Sequence, residues 1–321
     1  MAISLAELNA ALTEVDEKMR RENVNIPARP MCALSELSTK WRIPIRVPSE
    51  LANQIFRWFD ERYGERLKMG LSLGLTLVVI KEDAFKLRLP LMFGTIGYVL
   101  DSGPDERDVF VSGRPTKVSN IAKLVDGLTV PLVSAMLPEE RSDIVSWFGS
   151  AMVAGSEIDS IGTPPLISQA KGDLTASVEH LFSRPVQCGL SRWSSLQAVE
   201  KFLKAFIHGK GGQFARIHLL DDLANDAESR GLAAVDRKAL AAVQCSAGVR
   251  YGSEHTTPTQ ACEAHRAAMS ICGSIASQFP TRNDSRIERY DCTSRQGNSH
   301  MVLLMRGTKA DFDRARSQQS R

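Results

Sequence analysis

Apolar residues near the amino terminus recur at alternating steps of three and four. The segment opens with Ser4-Leu5-Ala6-Glu7, the Ser-x-x-Glu form of a capping box, in which both side chains bind free backbone N–H groups. A spacing of three and four places all the apolar side chains on one helix face. The pattern therefore predicts an amphipathic helix over residues 4–21, with its apolar face formed by Leu5, Leu8, Leu12, Val15 and Met19.

From Trp41 to Val111 the pattern changes to β-branched and aromatic residues that partly alternate with polar ones. We predict strands in the segments WRIPIRV (41–47), LSLGLTLVVI (71–80), AFKLRLPLMF (84–93) and TIGYVL (95–100), with a helix over 49–63 among them. Ser119 is predicted to open a helical stretch, and Pro138 begins another helix whose first turn holds two acidic residues. Residues 1–160 are therefore predicted to form an α+β module.

The segment 160–165 reads Ser-Ile-Gly-Thr-Pro-Pro, which cannot continue a helix and is predicted to be a linker. After it the pattern predicts an all-α helical bundle over residues 166–280, with helices near 167–182, 194–208, 218–230, 236–249 and 258–279. Residues 281–321 hold nine Arg and Lys against five Asp and Glu, and are predicted to form a basic tail with one short strand at 301–305.

Composition excludes several classes of protein. The 321 residues suffice for about two domains, and the hydrophobic (43%) and charged (24%) fractions are those of a globular protein. A net charge of +3 does not by itself indicate a nucleic-acid-binding protein. The six cysteines form no C-x-x-C pair, and the longest apolar run, of 12 residues (69–80), is too short to span a membrane. We expect a cytoplasmic protein with reduced thiols and no membrane segment.

The predicted helix near 194–208 carries the first candidate site residues. Glu200, Lys201 and Lys204 fall outside its apolar face, and Glu200 and Lys204 are spaced for an i,i+4 ion pair. The pair has two interpretations, a solvated ion pair beside the core or a group that contacts a ligand.

Three segments in order, LQAVEKFLKAFI (196–207), IHLLDDLA (217–224) and VRYGSEH (249–255), resemble the HEPN superfamily of nucleotide- and RNA-associated helical domains. The resemblance covers residues 168–279. It implies a helical bundle that pairs as a homodimer, with RNA or a nucleotide as ligand and no cofactor. The ligand-binding residues that it implies are Glu200, Lys201, Lys204, His218 and Tyr251.

The resemblance leaves three functions open. One branch of the family cleaves RNA without metal through Arg-x(4–6)-His, which Arg250 and His255 match: a guanidinium holds the phosphodiester and an imidazole moves the proton. The other branch carries Arg-Tyr-Gly, as at Arg250 to Gly252 here, and binds without cleaving. We expect nucleotide or RNA binding, with the N-terminal module as sensor or partner-binding unit. The alternatives are a ribonuclease of the toxin or defence type, and a dimerisation scaffold.

Other candidates have simpler explanations. His218 also suits helix capping or packing between helices, which keeps its role open. Cys262 and His265, three residues apart, supply two metal ligands where a structural zinc needs four, so no metal site is predicted. The Gly209–Gly212 loop lacks the full phosphate-binding form G-x-x-x-x-G-K-[ST].

Overall fold

The computed structural model describes residues 4–67, 72–92, 95–111, 114–162, 164–213, 218–279, 288–296 and 301–309. Two compact units make up the chain, Met1–Leu71 and Ser72–Arg321. The described residues contain helices in the first unit, and both helices and strands in the second.

The first unit is built on three helices: α1 (Leu5–Arg21), α2 (Arg29–Trp41) and α3 (Glu50–Tyr63). The predicted helix over 4–21 is confirmed, including its capping box, because Ser4 and Glu7 bind each other's backbone N–H groups. The three helices bury a core that includes Leu12, Leu37 and Phe59.

The strand predicted at 41–47 is wrong. Trp41 ends α2, Arg42 adopts a left-handed conformation (φ 54°), and the residues that follow belong to no strand. Prolines at 44 and 48 lack the N–H groups that a neighbouring strand would need. The alternation is nevertheless real, because Trp41 and Ile45 pack against the core of the first unit.

The second unit begins with five strands: β1 (Ser72–Ile80), β2 (Asp83–Pro90), β3 (Thr95–Val99), β4 (Glu106–Val111) and β5 (Arg114–Asn120). The first two form an antiparallel hairpin, and the remaining three join a five-stranded sheet of order β4-β5-β3-β7-β6. The last two are β6 (Glu288–Gln296) and β7 (Met301–Lys309), and β7 pairs with β3 at one edge and β6 at the other. The predicted helical stretch from Ser119 is wrong at its start, since Ser119 lies in β5 and only a 3₁₀ turn follows at Ile121–Leu124.

The helices of the second unit are α4 (Val130–Ser134), α5 (Pro138–Ser160), α6 (Pro165–Leu181), α7 (Cys188–Gly209), α8 (Leu220–Ser229), α9 (Arg237–Val243) and α10 (Pro258–Ala276). The last five form the helical bundle that the sequence predicts. Their core includes Val199, Phe202, Leu223 and Ile271. Among the described residues, no helix is both long enough and apolar enough to cross a membrane.

The boundary between the two compact units lies between Leu71 and Ser72, whereas the sequence predicts a linker at residues 160–165. A break does separate α5 from α6 around Pro164, but α5 packs against α10 of the bundle as well as against β1, β6 and β7. A Cβ atom added to Gly273 in α10 would lie 2.6 Å from the Cβ of Ala154 in α5, so the two helices cross closely. The strands therefore share a unit with the bundle, whereas the linker prediction placed them with residues 1–71.

Candidate nucleic-acid interface

An ionic cluster lies on α7. The Glu200 carboxylate accepts hydrogen bonds from Lys204 Nζ at 2.6 Å and from the Gln197 side chain at 3.1 Å. Glu200 is 5% exposed and Lys204 is 8% exposed, so the interpretation of a solvated ion pair is wrong for these two residues. Burial costs both charges their hydration, and mutual pairing offsets that cost. Lys201 points elsewhere, and its ammonium pairs with Asp173 of α6.

His218 extends the cluster to the surface. Its Nδ1 lies 2.7 Å from Oε2 of Glu200, while 62% of its side chain remains exposed. Gln244 fixes the backbone at the start of α8, two residues after His218, because its side chain accepts a hydrogen bond from the Leu220 N–H at 2.9 Å. His218 precedes α8, but its ring binds the carboxylate and does not cap the helix. A carboxylate on Nδ1 sets the neutral ring in the tautomer whose Nε2 is an acceptor.

A short turn carries the second part of the site. A 3₁₀ turn at Ala247–Val249 leads into Arg250, and the Ser246 hydroxyl caps the turn at the Gly248 N–H at 2.9 Å. The turn lies directly against α7, because a Cβ atom on Gly189 would be only 2.1 Å from the Val249 carbonyl oxygen. Glycine at position 189 therefore allows the turn to approach α7 one helical turn before Trp193.

Arg250 lies beside two aromatic rings. Its guanidinium carbon is 6.0 Å from the centre of the Trp193 ring and 5.5 Å from the centre of the Tyr251 ring. These distances are those of cation–π contacts. The Trp193 ring also packs near the His218 ring, at 5.9 Å between centres. We call Trp193, His218, Arg250 and Tyr251 the aromatic–arginine face.

The structure brings most of the sequence-predicted site residues together. Glu200, Lys204 and His218 form one cluster, and Trp193 links His218 to Arg250 and Tyr251. His255 is exposed in the segment before α10 and makes no hydrogen bond or ion pair within the part of the chain that the structure describes.

Sequence reasoning assigned no ligand role to Trp193 and overlooked Gly189. The signal for Trp193 was a stripe on α7, since Trp193, Gln197, Glu200 and Lys204 follow at steps of four, three and four. No comparable signal marked Gly189, because its role depends on a turn some sixty residues later in the chain.

His265 belongs to the packing of the second unit. Its Nδ1 lies 2.7 Å from the Ser177 hydroxyl, and its Nε2 lies 3.2 Å from the Thr76 hydroxyl. Complete burial lowers the pKa of His265 to about 3, so the ring is neutral. Because the Ser177 hydroxyl donates to the Leu174 carbonyl, Nδ1–H donates to Ser177 and Nε2 accepts from Thr76. Both nitrogens of His265 therefore form hydrogen bonds within the core of the second unit.

Comparison with protein-family models gives one match, to the model described as HEPN domain, over residues 165–277. The match runs from the first residue of α6 to just past the end of α10. It confirms the resemblance noted over residues 168–279. Curated proteins and solved structures give no match. The match to a HEPN domain model supports a nucleotide- or RNA-related role for residues 165–277.

Proposed function

We propose that the HEPN domain of residues 165–277 binds RNA or a nucleotide through the aromatic–arginine face, with the preceding part of the chain as sensor or partner-binding unit. The observation that carries this proposal is that Arg250 lies beside two rings, one of which, Tyr251, is 75% exposed. A guanidinium binds phosphate by paired charge-assisted hydrogen bonds, and an exposed ring stacks on an unpaired base.

The state of Arg250 favours a ligand over a structural role. Arg230 and Arg237, in the same domain, pair with Asp226 and Glu228 at 2.8 and 2.7 Å. No carboxylate of the described residues lies within ion-pair distance of Arg250, so its N–H groups are free to bind phosphate. An unpaired cation beside a largely exposed tyrosine fits the combination of charge and stacking that binds single strands.

Fluorescence anisotropy with a labelled single-stranded RNA tests this proposal, with AMP as competitor for the nucleotide case. We expect Arg250→Ala to weaken binding about tenfold to hundredfold, because the charged hydrogen bonds that it removes contribute about 1.5–3 kcal/mol to the free energy of binding. Tyr251→Ala removes a stacking surface worth about 1–3 kcal/mol for each base. The matched control is Arg237→Ala, which removes an exposed arginine already paired with Glu228. Equal losses in Arg250→Ala and Arg237→Ala would contradict the proposal.

A second candidate function is metal-independent cleavage of RNA, and the Glu200–His218 pair favours it. A buried carboxylate that holds Nδ1–H leaves Nε2 of an exposed imidazole free to accept the proton of a 2′-hydroxyl. The 2′-oxygen then bonds to phosphorus, the bond from phosphorus to the 5′-oxygen breaks, and that oxygen takes a proton from the imidazolium. The products are a 2′,3′-cyclic phosphate and a 5′-hydroxyl. Arg250 stabilises the charge on the phosphoryl oxygens.

Two histidines compete for this role. The Arg-x(4)-His spacing nominates His255, and the hydrogen bond to Glu200 nominates His218. Cleavage of end-labelled RNA in EDTA, followed on a gel, separates them: the variant of the true proton carrier loses cleavage and keeps RNA affinity. If His218→Ala and His255→Ala both cut RNA like the parent protein, neither histidine carries the proton. If the parent protein binds RNA and cuts none, the binding function alone remains.

A further inference from the structure

A buried carboxylate at the centre of the first unit is surrounded by more cations than it needs. Asp16 is completely buried on α1 and contacts three arginines. The Asp16 oxygens lie 3.1 Å from Arg29 Nη1, 3.1 Å from Arg20 Nη2 and 3.6 Å from Arg62 Nε. The Tyr63 hydroxyl donates a further hydrogen bond to the same carboxylate, at 2.5 Å. Glu17 is a second carboxylate whose charge acts on Arg20, so three guanidinium groups against two carboxylates leave an excess of one positive charge.

Arg29 alone satisfies the structural need of Asp16. Its side chain is 9% exposed, and it donates hydrogen bonds to the Val24 carbonyl, to Asp16 and to Tyr63, all within 3.1 Å. A buried carboxylate with one buried guanidinium and a tyrosine hydroxyl is already paired and hydrogen-bonded. Packing therefore does not account for the other two arginines, which repel each other and Arg29.

Arg20 and Arg62 are the arginines that face solvent. Their side chains are 47% and 40% exposed. Arg20 Nη2 and Arg62 Nε both lie near the same Asp16 oxygen, so these nitrogens are within about 7 Å of each other. Among the described residues, the Nη groups of Arg62 have no hydrogen-bond acceptor. Its guanidinium is held over the Trp58 ring, with 5.0 Å between the guanidinium carbon and the ring centre.

The nitrogens that face Asp16 are already engaged, so an anion would bind the outward N–H groups, which include both Nη groups of Arg62 and Nη1 of Arg20. Two N–H···O bonds of about 2.8 Å to oxygens about 2.5 Å apart let one tetrahedral anion bridge donors up to about 8 Å apart. Asp16 and Tyr63 hold the two guanidinium groups in place before the anion arrives, which reduces the entropy lost on binding. We propose that Arg20 and Arg62 form a binding site for a phosphate group, free or on a nucleotide, on the first unit of the chain. The site is independent of the proposed function of the HEPN domain.

Isothermal titration calorimetry of the full chain with inorganic phosphate, and separately with AMP, tests the site and distinguishes the two sources of phosphate. We expect saturable binding of at least one of them, weakened at least tenfold by Arg20→Gln and by Arg62→Gln. The matched control is Arg57→Gln on α3, which removes an exposed arginine that forms no ion pair with Asp16 and should change affinity less than twofold. Thermal melts of each variant establish that the first unit is still folded.

Two outcomes overturn this proposal: no heat of binding with 10 mM of either ligand, or binding in the Arg20→Gln, Arg62→Gln double variant equal to that of the parent protein. Tyr63→Phe supplies a second measurement, because it removes the hydroxyl that orients Arg20 and leaves both charges; we expect weaker binding from it. Arg250→Ala separates this site from the HEPN domain. Phosphate binding at Arg20 and Arg62 should survive that change, whatever happens to RNA binding.

Discussion

Replacement of Glu200 by leucine should destabilise the protein far more than removal of an ordinary helix ion pair. The change leaves the ammonium of Lys204, whose side chain is 10% exposed, without its carboxylate at 2.6 Å. It also removes the acceptor for His218 Nδ1. A buried ion pair that loses one partner costs about 3–5 kcal/mol, because the remaining charge stays buried after the carboxylate that offset its lost hydration is gone. We therefore expect Glu200→Leu to lower the free energy of unfolding by about 3–5 kcal/mol.

The matched control is Asp226→Leu on α8. Asp226 also pairs with an arginine four residues later, but the two side chains are 32% and 34% exposed. Pairs that water reaches contribute about 0–1 kcal/mol, so this variant should lose no more than that. The double variant Glu200→Leu, Lys204→Met should recover much of the loss, because two apolar side chains then pack where a buried ammonium had lost its carboxylate. Urea unfolding followed by circular dichroism at pH 7 gives all four free energies.

Either of two results would contradict the expected contribution of the Glu200–Lys204 ion pair. Equal losses for Glu200→Leu and Asp226→Leu would mean that water hydrates Lys204 despite its burial. A double variant as unstable as Glu200→Leu would mean that the Glu200 carboxylate stabilises the protein through its hydrogen bonds with His218 or Gln197. The ion pair between Glu200 and Lys204 would then contribute little.

Three further predictions concern pH, the carboxyl terminus and assembly. The unfolded chain protonates His265 below its ordinary pKa of 6.5, and the folded chain only near 3, so stability should fall as pH falls between these values, by about 3 kcal/mol at pH 4.5. Urea unfolding at pH 7 and 4.5 should show a smaller fall for His265→Gln, and equal falls would contradict this. Deletion of residues 310–321, which follow β7 and carry three arginines, should flatten the dependence of RNA affinity on salt, and an unchanged slope would place the phosphate contacts elsewhere. Sedimentation at tens of micromolar should show a homodimer, and a monomer would contradict the proposed pairing.

Local sequence signals predicted the elements whose determinants lie close together in the chain. The capping box at Ser4 and Glu7 specifies the start of α1 without any tertiary contact, and the structure confirms it. The strand β6 was not predicted, because Glu288–Gln296 is rich in polar and charged residues and carries little apolar alternation. It is paired with the apolar β7, whose central residues Leu303 and Met305 are buried. Such a strand is defined by its neighbour more than by its own sequence.

The contacts of the candidate site also divide into those that local sequence signals indicate and those that only the folded chain brings together. The spacing of Glu200 and Lys204 indicated a pair, but spacing within one helix does not reveal burial, which depends on the elements packed around α7. The bond between Glu200 and His218 joins residues eighteen positions apart across a change of chain direction. The contact of Arg250 with Trp193 depends on the close approach of a turn to Gly189, which only the folded backbone shows.

Photocrosslinking tests the central claim, that the HEPN domain binds RNA through the aromatic–arginine face, most directly. A single-stranded RNA with 4-thiouridine is irradiated with the full chain, and tryptic peptides are identified by mass spectrometry. Cleavage after Arg192 and Arg250 places Trp193 in the peptide 193–201 and Tyr251 in the peptide 251–266. We predict that crosslinked nucleotides concentrate in these two peptides. In Arg250→Ala trypsin no longer cleaves before Tyr251, which then lies in the peptide 239–266, and crosslinks to that peptide and to 193–201 should disappear. Crosslinks confined to other peptides, with both of these unmodified, would contradict the account.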